Sequence, residues 1–166
     1  MSAEEIAKAF VQHYYQSFDS NADSLAGLFV SPSNSQKYPR WSFRTMPWRN
    51  RKKEHCFHHI LSFSSNSLFV LILQQPQSMM TFEGQQFTGP QAIVGKLKQV
   101  GQVNHVVKSM DVQPSTSQSA LLIFVTGTIK IGGDNPLHFS EFFQLVSTGP
   151  GAFYVHNSIM RLNYGL

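Results

Sequence analysis

The chain has 166 residues, a formal net charge of +4 and a single cysteine. This length suits one domain with its own hydrophobic core, and one cysteine excludes a disulfide bond within the chain. The sequence opens with acidic residues at positions 4 and 5 and has no apolar run near the ~20 residues of a membrane helix, so neither a signal peptide nor a membrane span is predicted. We expect a cytosolic or nucleocytoplasmic protein.

The positive charge is concentrated in one segment, residues 30–74. This segment holds seven of the 13 Lys and Arg residues and one of the nine acids, so the rest of the chain is slightly acidic. It contains three prolines, shows neither the helical nor the strand period, and ends in a run of apolar residues at 68–73. We offer no fold for this segment.

Two motifs in the segment 30–74 have a functional and a trivial interpretation. The basic run Arg49–Lys53 is typical of a nuclear localisation signal or an RNA-binding patch. His55, Cys56, His58 and His59 are metal-ligand types, but no second pair lies at zinc-site spacing. Accidental composition is the favoured interpretation of both, and no metal site and no nucleic-acid partner are predicted.

The N-terminal residues predict an amphipathic helix. Ser2 can cap this helix, and large apolar residues recur every four positions from Ile6 to Phe18. A polar break at 19–23 then separates this helix from a second, short helix predicted over Ser24–Phe29.

The stretch Met79–Leu97 predicts a β-hairpin followed directly by a helix. Residues 81–83 and 86–88 suit two extended runs around a turn at Gly84–Gln85, and Pro90 suits the first position of a helix. Glu83 lies at the end of this hairpin, where an α+β fold would present its carboxylate at the rim. A carboxylate in a hairpin is more often simply solvated.

The C-terminal part of the chain predicts long strands at 104–113, 120–132, 136–147 and 152–162. Apolar and polar residues alternate in the second of these, and the stretch 132–136 has the glycine, asparagine and proline of a turn. Helices followed by a meander of strands predict an α+β fold with the helices on one face of the sheet. His13, His105, His138 and His156 are interpreted as structural or exposed, and no Asp/Tyr or His/Asp pair is indicated on facing strands.

Several blocks of the sequence resemble a known family. They are FVQHYYQSFD at 10–19, LAGLF at 25–29, MTFEGQQFTGPQAIVGKL at 80–97, LLIFVTGTIKIGGDN at 121–135, FSEFFQLV at 139–146 and FYVHNSIMRLNYG at 153–165. In this order they resemble nuclear transport factor 2, most of all its plant and fungal members. The resemblance implies a single cone-shaped domain over residues 1–166. Three helices in its N-terminal half would pack on a strongly bent, mainly antiparallel sheet that encloses a hydrophobic cavity.

The resemblance also implies a function and a set of partners. Members of this family form homodimers through their sheets, bind Ran in its GDP form and the phenylalanine-glycine repeats of nucleoporins, and carry Ran into the nucleus. The protein would therefore be no enzyme, use no cofactor and insert into no membrane. It would occur in cytoplasm and nucleus, enriched at the nuclear pore.

The site residues implied by the resemblance are few. Glu83 and Asp134 match the acids that pair with basic residues of Ran around the mouth of the cavity. Gly132 stands where animal members carry a further acid, which leaves fewer charges for the partner. Ala3 stands where animal members carry an exposed tryptophan for nucleoporin repeats, so that site carries over weakly, through Ile6.

The segment 30–74 has no counterpart in the spacing of the family. Its first codons can read GTA-AGT and its last TTG-CAG, the preferred boundaries of an intron, and its 45 residues keep the reading frame. We therefore interpret it as a translated retained intron that forms a disordered insertion. Transcripts and purified protein that always contain the segment would contradict this hypothesis.

Two rival functions stay open at this point. The same cone fold hosts small-molecule isomerases and dehydratases, in which a carboxylate or histidine of the cavity acts as the general base. Alternatively, the segment 30–74 makes this chain a non-functional splice isoform.

Overall fold

The computed structural model describes residues 2–29, 78–117, 119–133 and 135–164. The segment 30–74 lies outside the described residues, and its disorder stays a prediction. The helices are α1 (Ala3–Ser20), a 3₁₀ helix (Ala22–Phe29) and α2 (Pro90–Val100). The strands are β1 (Met79–Phe82), β2 (Gln85–Thr88), β3 (Val103–Pro114), β4 (Ala120–Ile131), β5 (Leu137–Gly149) and β6 (Ala152–Asn163).

The six strands form one open sheet in the order β2-β1-β6-β5-β4-β3. Neighbouring strands pair antiparallel, except that β1 runs parallel to β6. The prediction of an α+β fold with a mainly antiparallel sheet is therefore confirmed. None of the helices in the described ranges combines the length and the apolar composition that crossing a bilayer would need.

Helix α1 begins with a complete capping box. The Ser2 hydroxyl accepts a hydrogen bond from the backbone N–H of Glu5 at 3.2 Å, and the Glu5 carboxylate accepts one from the backbone N–H of Ser2 at 2.7 Å. Both bonds satisfy donors that the first turn of a helix leaves unpaired. The buried face of α1 consists of Ala7, Phe10, Val11, Tyr14, Tyr15, Ser17 and Phe18.

The second helix differs from its prediction in type and length. It is a 3₁₀ helix that begins at Ala22, and α1 continues to Ser20, so the predicted polar break shrinks to Asn21. Asn21 has an extended backbone, and its side-chain oxygen accepts a hydrogen bond from the N–H of Asp23 at 3.0 Å. This local hydrogen bond starts the new helix immediately, which composition alone did not indicate.

The hairpin is present, but its turn lies one residue earlier than predicted. Phe82 pairs with Gln85, so the two turn residues are Glu83 and Gly84, with φ angles of 49° and 83°. A two-residue hairpin of this type needs positive φ at both positions because its twist must match that of the strands. Glu83 is therefore a turn residue, not the end of a strand.

The helices pack on one face of the sheet, where a glycine allows a close approach. A Cβ atom at Gly127 of β4 would lie 2.8 Å from Cε1 of Phe139 and would also collide with the backbone oxygen of Val106. The face contributes buried residues from β4 and β5, namely Ile123, Val125, Ile129, Phe139, Phe143 and Leu145.

We predict that Gly127→Ala destabilises the domain by about 1–3 kcal/mol or more, because neighbouring backbone would have to shift. Gly95→Ala is the matched control. Gly95 lies within α2 with no atom within 4 Å of an added Cβ, so alanine should stabilise the domain by roughly 0.5–1 kcal/mol. Urea unfolding of both variants measures the difference, and equal effects would contradict the packing described.

Candidate functional site

Glu83 and the residues on either side of Asp134 lie at the same end of the sheet. Because β1 and β6 are parallel, the turn that contains Glu83 lies beside the end of β6. β5 pairs antiparallel with both β6 and β4, so the turn at 132–136, between β4 and β5, lies at the same end of the sheet. Asp134 lies outside the described residues, but its neighbours Gly133 and Asn135 are placed there and are exposed.

Both the backbone and the side chain of Glu83 form hydrogen bonds with the backbone of β6. Its N–H donates to the backbone oxygen of Met160 at 3.1 Å, and its Oε1 accepts from the N–H of Leu162 at 2.5 Å. The guanidinium nitrogens of Arg161 lie 3.5 Å from the position that a Cβ of Gly84 would take. Glu83 is therefore a half-buried carboxylate with a defined orientation, rather than a freely solvated one.

A polar pocket of about 410 Å³ opens at this end of the sheet. It is lined by Asp19, Gln102, Val103, Asn104, Lys130, Gly132 and Gly133. Polar side chains and glycines predominate in this lining. The pocket is therefore not the hydrophobic cavity that the resemblance implies, and that cavity stays an expectation.

Asp19, in the wall of this pocket, binds a buried histidine. Its carboxylate accepts from the backbone N–H of His105 at 3.0 Å and contacts the ring Nδ1 at 2.6 Å. The His105 side chain has no exposed surface, and its ring centre lies 4.7 to 5.2 Å from those of Tyr15, Phe18 and Phe139. Burial lowers the pKa of His105, although Asp19 opposes this shift. Since a neutral ring has one N–H, we assign it to Nδ1, facing Asp19.

A fully buried acid, Glu141, was not predicted from the sequence. Glu141 of β5 has no exposed surface, and its carboxylate accepts hydrogen bonds from Tyr14, Tyr15 and Ser158 at 3.1, 3.0 and 2.8 Å. Burial raises its pKa to about 7, and the three hydrogen bonds oppose the shift. The period of the strand could have indicated its burial, because Glu141 lies two residues from each of the buried Phe139 and Phe143 and therefore points to the same face of β5.

The prediction of no Asp/Tyr or His/Asp pair concerned facing strands, and related pairs form elsewhere in the structure. The structure pairs His105 with Asp19, and Glu141 with Tyr14 and Tyr15. These pairs form between α1 and the sheet, not between facing strands. The two tyrosines lie on the buried aromatic face of α1. Their spacing is that of core residues, so the sequence did not indicate that their hydroxyl groups form hydrogen bonds.

The other face of the sheet exposes large apolar side chains. Phe124 and Ile159 are 43% and 47% exposed, and both pair in register with Phe142, which lies half-buried between them. Met79 at the same face is 39% exposed. Ile6, the predicted nucleoporin contact, lies elsewhere, half-buried in the first turns of α1.

Comparison with known proteins decides the family. Residues 53–162 match the Nuclear transport factor 2 (NTF2) domain. The chain is 37% identical over 168 aligned positions to Nuclear transport factor 2 of Oryza sativa subsp. japonica, covering 99% of this chain and 100% of that one. The chain belongs to the nuclear transport factor 2 family. Nuclear transport factor 2B of Arabidopsis thaliana is 34% identical over 167 positions, covering 99% and 97% of the two chains.

The structural comparison agrees with this membership. The nuclear transport factor 2 structure from Cryptosporidium parvum superposes with a TM-score of 0.65 at 30% identity, covering 97% of this chain and 94% of that one. The family resemblance and its fold are therefore confirmed, and the names of these relatives support a role in nuclear transport. The domain match begins at residue 53, inside the segment 30–74, whose status as an insertion stays a prediction.

We predict that Asp19→Ala destabilises the domain by about 1–3 kcal/mol, because the backbone N–H and ring of His105 lose their acceptor in a buried site. Asp23→Ala is the control. Asp23 pairs with Lys98 at 3.0 Å, but the two side chains are 60% and 54% exposed, so its loss should cost about 0–1 kcal/mol. Chemical denaturation at pH 7 compares the two, and a cost for Asp19→Ala as small as the control's would show that His105 needs no such partner.

Proposed function

We propose that this member of the family binds Ran in its GDP form and nucleoporin repeats, and thereby carries Ran into the nucleus. Fold alone does not decide a function, so the proposal rests on a site. The observation that carries it is the carboxylate of Glu83, oriented by the N–H of Leu162 at the end of the sheet. Glu83 is the residue that the family resemblance assigns to Ran.

We assign the acids at this end of the sheet to a basic partner, and the cations Lys130 and Arg161 lie at the same end. Glu83 would pair with a cation of Ran, and we assign the same role to Asp134 in the neighbouring turn. A half-buried, oriented carboxylate binds a cation more strongly than a mobile, solvated one, because less side-chain entropy is lost and screening by water is weaker. The polar pocket beside the turn offers further acceptors from Asp19 and Asn104.

The isomerase alternative has less support. Its best candidate base is Glu141, which has no exposed surface and whose two carboxylate oxygens both accept protein hydrogen bonds. A general base must come within hydrogen-bonding reach of its substrate. Tyr14, Tyr15 and Ser158 occupy that space in the described structure.

A homodimer formed by the sheets is part of the proposal. The exposed row of Phe124, Phe142 and Ile159 lies on the face that the helices leave uncovered. Two copies of such a face can bury each other around a two-fold axis, each row covering the other. We also propose enrichment at the nuclear pore, where repeats would contact α1 near Ile6.

We predict that Glu83→Lys abolishes detectable binding of Ran·GDP. Reversing a charge that pairs with a cation at a protein interface costs about 2–5 kcal/mol, and Glu83→Gln should cost less because it adds no repulsion. Pull-down of purified Ran·GDP, with Ran·GTP in parallel, measures the effect. Undiminished binding by Glu83→Lys would remove Glu83 from the site.

The control for this experiment is Glu4→Lys, at the other end of α1 from Asp19. Fifteen residues of helix place the two positions about 22 Å apart, so the control should bind Ran·GDP normally. Circular dichroism verifies that each variant is folded. A version lacking residues 30–74 tests the isoform alternative: binding by this version alone would identify the full chain as the non-functional form.

We further predict that Phe124→Glu converts the dimer into monomers. Two-fold symmetry introduces the change twice, and each buried, unpaired carboxylate costs several kcal/mol, so the dissociation constant should rise by at least about a hundredfold. Sedimentation velocity over a range of concentrations measures it. Tyr164→Glu, at a side chain that is 68% exposed beyond β6, should leave the dimer intact. A dimer that survives Phe124→Glu would exclude this face as the interface.

A further inference from the structure

Glu141 lies where α1 crosses the sheet, and its hydrogen bonds join three elements. Tyr14 and Tyr15 donate from α1 and Ser158 donates from β6, while Glu141 itself belongs to β5. Tyr14 and Glu141 have no exposed surface, and Ser158 is 1% exposed. The cluster is therefore the polar link between α1 and the centre of the sheet.

Within the part of the chain that the structure describes, no Lys or Arg forms an ion pair with this acid. Among the described residues, Lys98 forms an ion pair with Asp23, and the neutral ring of His105 contacts Asp19, but neither pair includes Glu141. Its strand neighbours in register are apolar, Val125 from β4 and Met160 from β6.

The titratable groups that face Glu141 are tyrosines. Tyr14 and Tyr15 approach from α1, and their pKa values are raised well above the ordinary range by burial and by Glu141 itself. His105 of β3, with Asp19, packs on the far side of the Tyr15 ring, with a centroid distance of 4.7 Å. Neither tyrosine ionises near neutral pH, so Glu141 is the group of this cluster that can change charge there.

Hydroxyl partners accommodate both charge states of the acid. An ionised Glu141 accepts one hydrogen bond from each of the three hydroxyl groups. A protonated Glu141 donates its own proton to one hydroxyl oxygen, because a hydroxyl group both donates and accepts. A lysine or arginine partner could only donate and would hold the acid permanently ionised. The geometry is therefore suited to a change of protonation within the folded state.

We propose that Glu141 is a pH-sensitive latch between α1 and the sheet, closed when the carboxyl group is neutral and weakened when it ionises. In the ionised state an uncompensated charge lies within the core, which favours the entry of water between α1 and β5. The latch concerns the fold of each protomer and does not depend on binding of Ran.

The direction of the pH effect follows from the raised pKa. A carboxyl group with a folded-state pKa of about 7 and an ordinary value of 4.5 holds its proton more tightly in the folded protein than in the unfolded chain. The stabilising contribution is complete below pH 4.5, decreases as the pH rises, and is lost above about pH 7.

The test compares the wild-type protein with Glu141→Gln, a neutral side chain of the same shape. Near pH 5 the two should be about equally stable. At pH 8.5 the variant should be the more stable, with the ratio of the two folding equilibrium constants changed by about a hundredfold between these pH values. Glu4→Gln, an exposed acid in the first turn of α1, should show no such change. Urea unfolding at equal protein concentration measures all three.

A direct readout separates the latch from a merely structural role. The infrared carbonyl band of a buried protonated carboxyl group should disappear with a midpoint near neutral pH and be absent from Glu141→Gln. Amide exchange in α1 around Tyr14 should be slower in the variant than in the wild type at pH 8.5, and equal at pH 5.5. A variant that is less stable by the same factor at every pH, or a wild type without the infrared band, would overturn the proposal.

Discussion

The parallel pairing of β1 with β6 is the constraint on which the site depends. It inserts β6 between the hairpin and the antiparallel meander, and so joins the two halves of the fold in one sheet. The same pairing brings the Glu83 turn to the end of β6, where backbone groups of Met160 and Leu162 hold it. A hairpin of two four-residue strands is only marginally stable alone, so Glu83 owes its orientation to β6.

The two faces of the sheet differ in what covers them. The inner face is closed by α1 and contains two acids, each bound by side chains or backbone of a neighbouring element. The outer face carries exposed aromatic and aliphatic groups and is left for a second copy in our proposal. The proposed partner site lies at the end of the sheet, between the two faces. We therefore expect changes at Glu83, Phe124 and Glu141 to act first on binding, on association and on internal packing, respectively.

Helices and strands were predicted correctly where apolar residues recur with the period of a helix or a strand. The four-residue spacing from Ile6 to Phe18 predicted α1, and the alternation in β4 predicted that strand within one residue of its end. The turn at Glu83 was misplaced because strand twist, not composition, requires two positive φ angles there. The acids proposed to bind Ran were assigned from the family resemblance, and the structure describes only the neighbours of Asp134.

The partners of Glu141 were not predictable from any local pattern. Two of the three, Tyr14 and Tyr15, lie 127 and 126 positions away, at apolar positions of α1. A period indicates which face a residue occupies, but not which distant hydroxyl group it meets.

The position of β6 also has a consequence for biosynthesis. β6 is the last strand in sequence but an interior strand of the sheet, and Met80 of β1 pairs with Ser158, 78 positions later. During translation the hairpin and β5 therefore expose their unpaired edges until β6 has left the ribosome. Such edges are sites of aggregation, and non-local pairing is slow. A chain interrupted before residue 152 would keep both edges open and would therefore be prone to aggregate.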